Sequence, residues 1–282
     1  MKNIVITGAS TGIGYVIAQQ LLQRGFRVFG SVRKAADGER LQQELGSNFE
    51  PLLFDVTDES AVQQAAAKVA QQIGDQGFFA LINNAGIAIG GPILHLSLDE
   101  WRRQFEVNVF GVLATTKAFA PLLGARKDCP HPAGKIFNVG SVGGTISNPF
   151  MGPYCASKHA LEGITKSLRA EMLLYGIDVV MLAPGVVKTP IWEKAKKEDM
   201  HQYDHTDYKE AIKKLEAYIH VHSEDGYEQG EFGQLVANII THPTPKFHYV
   251  LVKSKLRNWT IPRLLPARTF LRLVGKRLGL LS

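Results

Sequence analysis

Ile4-Val5-Ile6-Thr7-Gly8-Ala9-Ser10-Thr11-Gly12-Ile13-Gly14 carries a short apolar run straight into a glycine-rich turn, and Val16, Ile17, Leu21 and Leu22 follow at helical spacing. A strand that enters a helix through such a turn builds a cradle for an anion. Glycine permits the tight turn and lets a pyrophosphate approach the backbone, while the free N–H groups and dipole of the helix start favour negative charge. The spacing is Gly-x3-Gly-x-Gly, not Gly-x-Gly-x2-Gly, so the strand before and the helix after carry much of the weight.

Outward from this stretch the same alternation repeats. Apolar runs at 4–7, 27–31, 51–54, 79–82, 135–139, 178–182 and 249–252 read as strands. Between them, residues 58–73 place Ala61, Val62, Ala65, Val69 and Ile73 on one helical face. Ser97-Leu98-Asp99-Glu100 is a capping box opening a helix that carries Trp101, Phe105, Val109 and Val112. Strands apolar on both faces, joined by helices, mean a parallel sheet covered on both sides. The expectation is α/β: a single Rossmann-type doubly wound parallel sheet of about seven strands flanked by helices, forming one dinucleotide-binding catalytic domain over 1–252. Two segments depart from the alternation. Residues 187–223 form an insertion with Tyr208, Ala211, Ile212, Leu215 and Ile219 as an apolar stripe, placed where a substrate lid would sit. Residues 253–282 form an appended tail.

The 282 residues are 45% hydrophobic and 21% charged, which excludes disordered and fibrous classes. Cys129 and Cys155 are too few for a disulfide scaffold and fit a reducing compartment. Met1-Lys2-Asn3 enters the first strand at once, leaving no room for a signal peptide, so a cytoplasmic location is expected. The longest apolar stretch, 78–96, is broken by Asn83, Asn84 and Pro92 and does not read as a membrane span. Cys129, His131, His242 and His248 are scattered in loops, and no metal site is expected. The formal charge of +6 is unevenly placed: residues 246–282 hold nine Lys or Arg and no acid, leaving 23 basic against 26 acidic side chains before them. A near-neutral body with a basic tail is not a nucleic-acid binder's pattern.

Chemistry-bearing residues fall where strands end. Asp55 follows the third strand, Asn83-Asn84-Ala85-Gly86 the fourth, and Ser141 the fifth. Taken alone, each fits a turn or a cap. Tyr154 and Lys158 stand one helical turn apart, so the ammonium neighbours the phenol and is expected to lower its pKa from roughly 10. Such a phenol exchanges protons near neutral pH, and a Ser hydroxyl from an adjacent loop holds a carbonyl oxygen.

Together Thr7 to Gly14, Asp55, Asn83 to Gly86, Asn108, Ser141, Tyr154-Cys155-Ala156-Ser157-Lys158 and Pro184-Gly185 resemble the short-chain dehydrogenase/reductase family over residues 2–252. The resemblance implies Tyr154 as acid/base, Lys158 tuning it, Ser141 orienting the carbonyl and Asn108 holding a relay water. It implies a cofactor held by Gly8, Ser10, Thr11, Gly12, Ile13, Gly14, Asp55, Val56, Asn83, Ala85, Gly86, Tyr154, Lys158, Pro184, Gly185 and Val187, with Thr189 at the carboxamide. A nucleotide-binding sensor without turnover is the alternative from another class, and it would be expected to have lost Tyr154 or Lys158.

At the second strand's end Val32 occupies the slot where an acid would bond a ribose, and Arg33 and Lys34 follow. A guanidinium pairs a 2′-phosphate, so NADP(H) is expected, with Arg33 as clamp and Ser10 as helper. Pocket walls are expected from 88–94, 142–147 and the insertion with Trp192, lining a site for an apolar ketone, aldehyde or alcohol. The second-strand pattern and tail are similar to the hydroxysteroid and retinol dehydrogenase branch; a 3-oxoacyl or sugar-type reductase is the alternative. Ala156, Ala160, Gly163 and Ser167 give the helix after Tyr154 a small-residue face, on which the family commonly forms a homodimer. The tail, from Pro266, carries Phe270, Leu271, Val274, Leu278 and Leu281 against Arg268, Arg272 and Lys276. It is expected to pack on the protein, with peripheral contact to an anionic membrane as the second reading.

Overall fold

The computed structural model describes residues 1–189, 200–223 and 225–281. Its strands are β1 (Asn3–Ile6), β2 (Arg27–Val32), β3 (Phe49–Leu53), β4 (Phe78–Asn83), β5 (Lys135–Val139), β6 (Asp178–Pro184) and β7 (His248–Leu251). They form one all-parallel sheet in the order β3-β2-β1-β4-β5-β6-β7. Every expected strand is present, with ends shifted by at most two residues. The helices are α1 (Gly12–Gln23), α2 (Ala35–Leu45), α3 (Glu59–Ile73), α4 (Leu98–Phe105), α5 (Gly111–Phe119), α6 (Gly152–Met172), α7 (Lys209–Ser223), α8 (Gln229–Thr241), α9 (Ile261–Leu264) and α10 (Ala267–Leu278).

Alternation along each strand fills both faces. Ile4 and Ile6 of β1, Ala80 and Ile82 of β4, and Phe137 and Val139 of β5 share one core with Ile17 and Leu21 of α1 and Phe232 and Val236 of α8. Val5, Leu81 and Ile136 turn the other way, against Val62 and Val69 of α3 and Phe119 of α5. Each such side chain gains about 1.5–3 kcal/mol on leaving water, so burying both faces outweighs any local preference of the strands. Helix starts follow their chemistry: Asp58 accepts from the Ala61 N–H at 2.9 Å, and Ser97 and Glu100 form both halves of the capping box. The expected single helix after Ser97 is in fact two, α4 and α5, joined by a π turn at Glu106–Phe110. That wider turn carries Asn108.

The strand ends β4 and β5 are tied by buried amides. Asn83 Nδ2 donates to Asn138 Oδ1 and to Thr116 Oγ1, both at 2.9 Å, while Thr115 Oγ1 donates to Asn83 Oδ1 at 2.7 Å. Asn138 Nδ2 donates in turn to Thr165 Oγ1 of α6 at 2.9 Å.

Over the carboxyl edge lies a smaller cluster of Phe150, Tyr203, Ala211, Ile212 and Leu278, flanked by Tyr208, Leu215 and Val274. The insertion's stripe therefore meets the tail: α10 packs its Leu278 side on α7. Trp192 and the Ile219 side chain lie outside the described residues.

Asn138→Ala leaves Asn83 and Thr165 short of partners in a dry interior, at about 1–3 kcal/mol per orphaned group. The urea midpoint should fall by the equivalent of about 2–4 kcal/mol with an unchanged slope. An unmoved midpoint would show the network to be neutral.

Candidate functional site

The chain order reverses between β1 and β4, which opens a crevice at their carboxyl ends. The glycine turn forms its floor. Gly8 and Gly12 take φ of +68° and +62°, conformations costly to a side chain. A Cβ on Gly14 would collide with the Gly8 carbonyl oxygen and the Asn84 amide, and one on Gly8 would stand 3.0 Å from the Ala85 Cα. The turn and the β4 loop are thus in backbone contact. Thr7 Oγ1 accepts from the N–H groups of Asn84 and Ala85, each at 2.9 Å, and Asn84 Nδ2 donates to the carbonyls of Thr7 and Gly8 at 3.0 and 3.1 Å.

Above this floor α1 begins at Gly12 with no side-chain cap and no acid in its first turn. Its N–H groups are left for an anion, so a pyrophosphate fits. Thr189 is buried beside the same spot: a Cβ on Gly12 would lie 3.6 Å from its Cβ.

At the end of β2, Val32 is only 3% exposed and packs beneath α2, whereas the Arg33 side chain is 68% exposed. Its guanidinium lies 3.8 Å from the Asp55 carboxylate, which also accepts from the Thr57 N–H and hydroxyl. A second cation escaped the sequence reading. Arg40 of α2 donates from Nη2 to the Ser10 carbonyl at 2.9 Å. Asp37 and Glu44 at helical spacing made it look like an ordinary solvated face. The sequence reading also put Asn83 at the cofactor, but its amide is spent on the β4–β5 network and turns into the core. Asn84 is the amide that reaches the glycine turn.

The proposed reacting groups meet at the ends of β4 and β5. Ser141 follows β5 and its hydroxyl accepts from the Gly143 N–H at 3.0 Å. Tyr154 and Lys158 come from the first turns of α6. Lys158 Nζ donates to the Val139 carbonyl at 2.9 Å and sits 5.8 Å from the Tyr154 ring centre. Asn108 is clamped on Ile87: Oδ1 accepts from its N–H and Nδ2 donates to its carbonyl, both at 2.9 Å. Nδ2 also reaches Ser157 Oγ at 3.1 Å, and that hydroxyl donates to the Tyr154 carbonyl at 2.7 Å. Gly86 lies among them, with room for a Cβ only 3.3 Å from Asn108 Oδ1.

Burial pushes the Tyr154 phenol above its usual 10, while hydrogen bonding with Ser141 pulls partly back. Burial also brings Lys158 down from 10.5 to about 8. The expected lowering of the phenol by its neighbouring ammonium is therefore not what this geometry gives. Both groups have left water, and desolvation outruns the attraction of a charge held to one side of the ring. The phenol keeps its proton, and the amine gives up its own more readily than an exposed lysine does. As for the pocket walls, Phe150 and Tyr203 are buried in the roof, but Leu94 is 81% exposed and points to solvent.

Residues 2–200 match the short chain dehydrogenase family. Over 282 residues the chain is 36% identical to an NADPH-dependent 3-dehydrocapnine reductase from Ornithobacterium rhinotracheale, covering 100% of this chain and 99% of that one. It is 39% identical over 189 residues to retinol dehydrogenase 5 of Mus musculus, covering 67% of this chain and 57% of that enzyme. A short-chain dehydrogenase from Streptomyces avermitilis shares its fold, with a TM-score of 0.76 at 23% identity over 98% of this chain and 96% of that one. The chain belongs to the short-chain dehydrogenase family, in the branch of the retinol and hydroxysteroid enzymes.

Proposed function

We propose that the chain is an NADP(H)-dependent oxidoreductase that reduces an apolar ketone to its alcohol, with Tyr154 as the proton donor. The observation that carries this reading is the Ser141–Tyr154–Lys158 cluster, in which Ser141 hydrogen-bonds the phenol and Lys158 Nζ stands 5.8 Å from its ring centre. NADPH bound in this crevice would supply the hydride that reduces the carbonyl carbon. Tyr154 Oη gives its proton to the carbonyl oxygen as charge develops there, and Ser141 Oγ holds the same oxygen. Once Tyr154 has given up its proton, the Lys158 ammonium stabilises the phenolate. Fresh protons arrive through a water at the π turn carrying Asn108, whose side chain is committed to Ile87 and Ser157. In the alcohol-oxidising direction the same groups run in reverse.

The dinucleotide's pyrophosphate would rest on the N–H groups from Ser10 to Gly14, and its adenine near Asp55 and Val56. Arg33 and Ser10 would take the 2′-phosphate, and Ala85 and Gly86 the backbone side of the crevice. Lys158 and Tyr154 would hold the nicotinamide ribose, with Pro184, Gly185, Val187 and Thr189 around the carboxamide. The NADPH named for the full-length 36% relative supports the phosphorylated cofactor, as does Arg33 at the strand end. That relative acts on a 3-dehydro compound, which favours ketone reduction here. The similarity to retinol dehydrogenase 5 favours a second reading, alcohol oxidation on an equally apolar substrate. A sensor without turnover is disfavoured by the retained Tyr154 and Lys158.

We assign the enzyme to the cytoplasm, in keeping with the free thiols of Cys129 and Cys155. We infer a homodimer through α6: Gly163 is exposed, and among the described residues nothing lies within 4 Å of where its Cβ would stand. Sedimentation at tens of micromolar should give twice the chain mass of 31.1 kDa, and a monomer alone would exclude it.

Tyr154→Phe should lower kcat by about 10²–10⁴-fold with NADPH binding retained; turnover surviving that change would overturn the proton assignment. Arg33→Ala should raise KM for NADPH by about tenfold and leave that for NADH unchanged, as expected for the loss of one charge-assisted pair. Lys158 also bears on stability. Its pKa is 10.5 in the open chain and about 8 when folded, so between those values the unfolded state binds more protons. Stability contributed at this site therefore rises with pH through that window, and below about pH 8 the buried ammonium is a constant cost. Without cofactor, Lys158→Met should be more stable at pH 7 by on the order of 2 kcal/mol, while activity is lost. A lower melting temperature than the parent at pH 7 would refute this account.

A further inference from the structure

After β7 the chain lies on the body as a short helical strap. A π turn at Leu256–Thr260 runs into α9, and the strap is pinned by Trp259, which is buried and stacks on His248 at 6.5 Å between ring centres. His248 Nε2 is in turn 2.9 Å from Glu162 Oε1 on α6. Arg263 lays its guanidinium over the outer face of Trp259, 4.8 Å from the ring centre. A strap held this firmly has a definite outer side, and that side is apolar. Leu256 is 68% exposed, Ile261 47% and Leu264 78%, and none of them joins a buried cluster. The π turn brings residues five apart onto one side, and three further residues complete a turn of α9, so the three line up.

Cations accompany this stripe along the chain. Lys255, Arg257 and Arg263 lie along it, and Arg268, Arg272 and Lys276 stand on the outer side of α10 with Leu273, which is 56% exposed. No Asp or Glu occurs from 246 to the end of the chain. Among the described residues, none of these six cations forms an ion pair within 4 Å. The inner side of α10 is meanwhile spent on the roof, where Leu278 and Val274 meet Phe150, Tyr203 and Ile212. Packing on the protein and an outward basic, apolar surface are thus not alternatives: opposite sides of the same segment do both.

We propose that this outer surface, Leu256, Ile261, Leu264 and Leu273 with the arginines and lysines around them, docks on a bilayer of anionic lipid. The leucines enter beneath the headgroups and the cations stay at headgroup level, the arrangement that membrane-surface helices use. No helix among the described residues is long and apolar enough to cross a membrane, so the contact is peripheral. An acidic partner protein or nucleic acid would satisfy the cations but leave four exposed apolar side chains unaccounted for. The inner side of α10 belongs to the roof cluster, so docking its outer side would bring lipid close to the crevice.

The test is co-sedimentation of the full chain with vesicles of phosphatidylcholine, with and without added phosphatidylglycerol. Binding should require the anionic lipid and fade as salt rises to about 0.5 M. Leu256→Gln with Leu264→Gln changes no charge and no buried contact, and should cut partitioning by at least about tenfold. Arg268→Gln with Arg272→Gln should weaken binding and flatten its salt dependence. Protein that stays in the supernatant with anionic vesicles at low salt overturns the proposal. So does binding that the leucine pair leaves intact while duplex DNA competes it away, which would mark a general polyanion surface. A leucine pair that dissociates a dimer without altering vesicle binding assigns the stripe to a second copy instead. The assay needs no turnover, so its failure and that of the catalytic reading are separate events.

Discussion

The crevice exists because two loops touch backbone to backbone. The glycine turn after β1 and the loop after β4 meet so closely that neither Gly8 nor Gly14 has space for a side chain, and Thr7 and Asn84 fasten the contact from either side. Everything functional is placed relative to that clasp. It aims the open end of α1, sets the height at which Thr189 comes down over Gly12, and fixes Gly86 against Asn108 and Lys158. Side chains at the glycine positions would separate the loops, and the strands beneath would keep their register with nothing left between their ends.

The proton chemistry rests on a related economy of space. Tyr154 and Lys158 are both withdrawn from water, and burial drives their pKa values apart, the phenol upward from 10 and the amine down to about 8. A phenol that holds its proton beside a lysine brought down to about 8 suits the proton donor proposed above.

Much of this was legible in the sequence. Periodicity alone recovers all seven strands, because a sheet buried on both faces demands unbroken apolar runs, and Ser97 and Asp58 mark helix starts by their own hydrogen bonding. Ser141, Tyr154 and Lys158 follow from strand ends and helical spacing and Asn108 from resemblance, and the fold does bring those four together. What escaped depends on direction. Asn83 and Asn84 are neighbours of one type, yet strand alternation sends the first into the core and only the second to the turn. Arg40 is one of several charges on a helix, and only the approach of α2 to the glycine loop singles it out. The sign of the Tyr154 shift escaped because spacing reveals a neighbour's charge but not how much water both have lost.

The roof cluster joins segments far apart in the chain: Phe150 from the loop before α6, Tyr203 and Ile212 from the insertion, and Leu278 from the last helix. During synthesis the sheet, the glycine turn and α6 are all made before α10 emerges. A nascent chain can therefore assemble its cofactor crevice while the ceiling still lacks its last support. Closure over the site waits for α10.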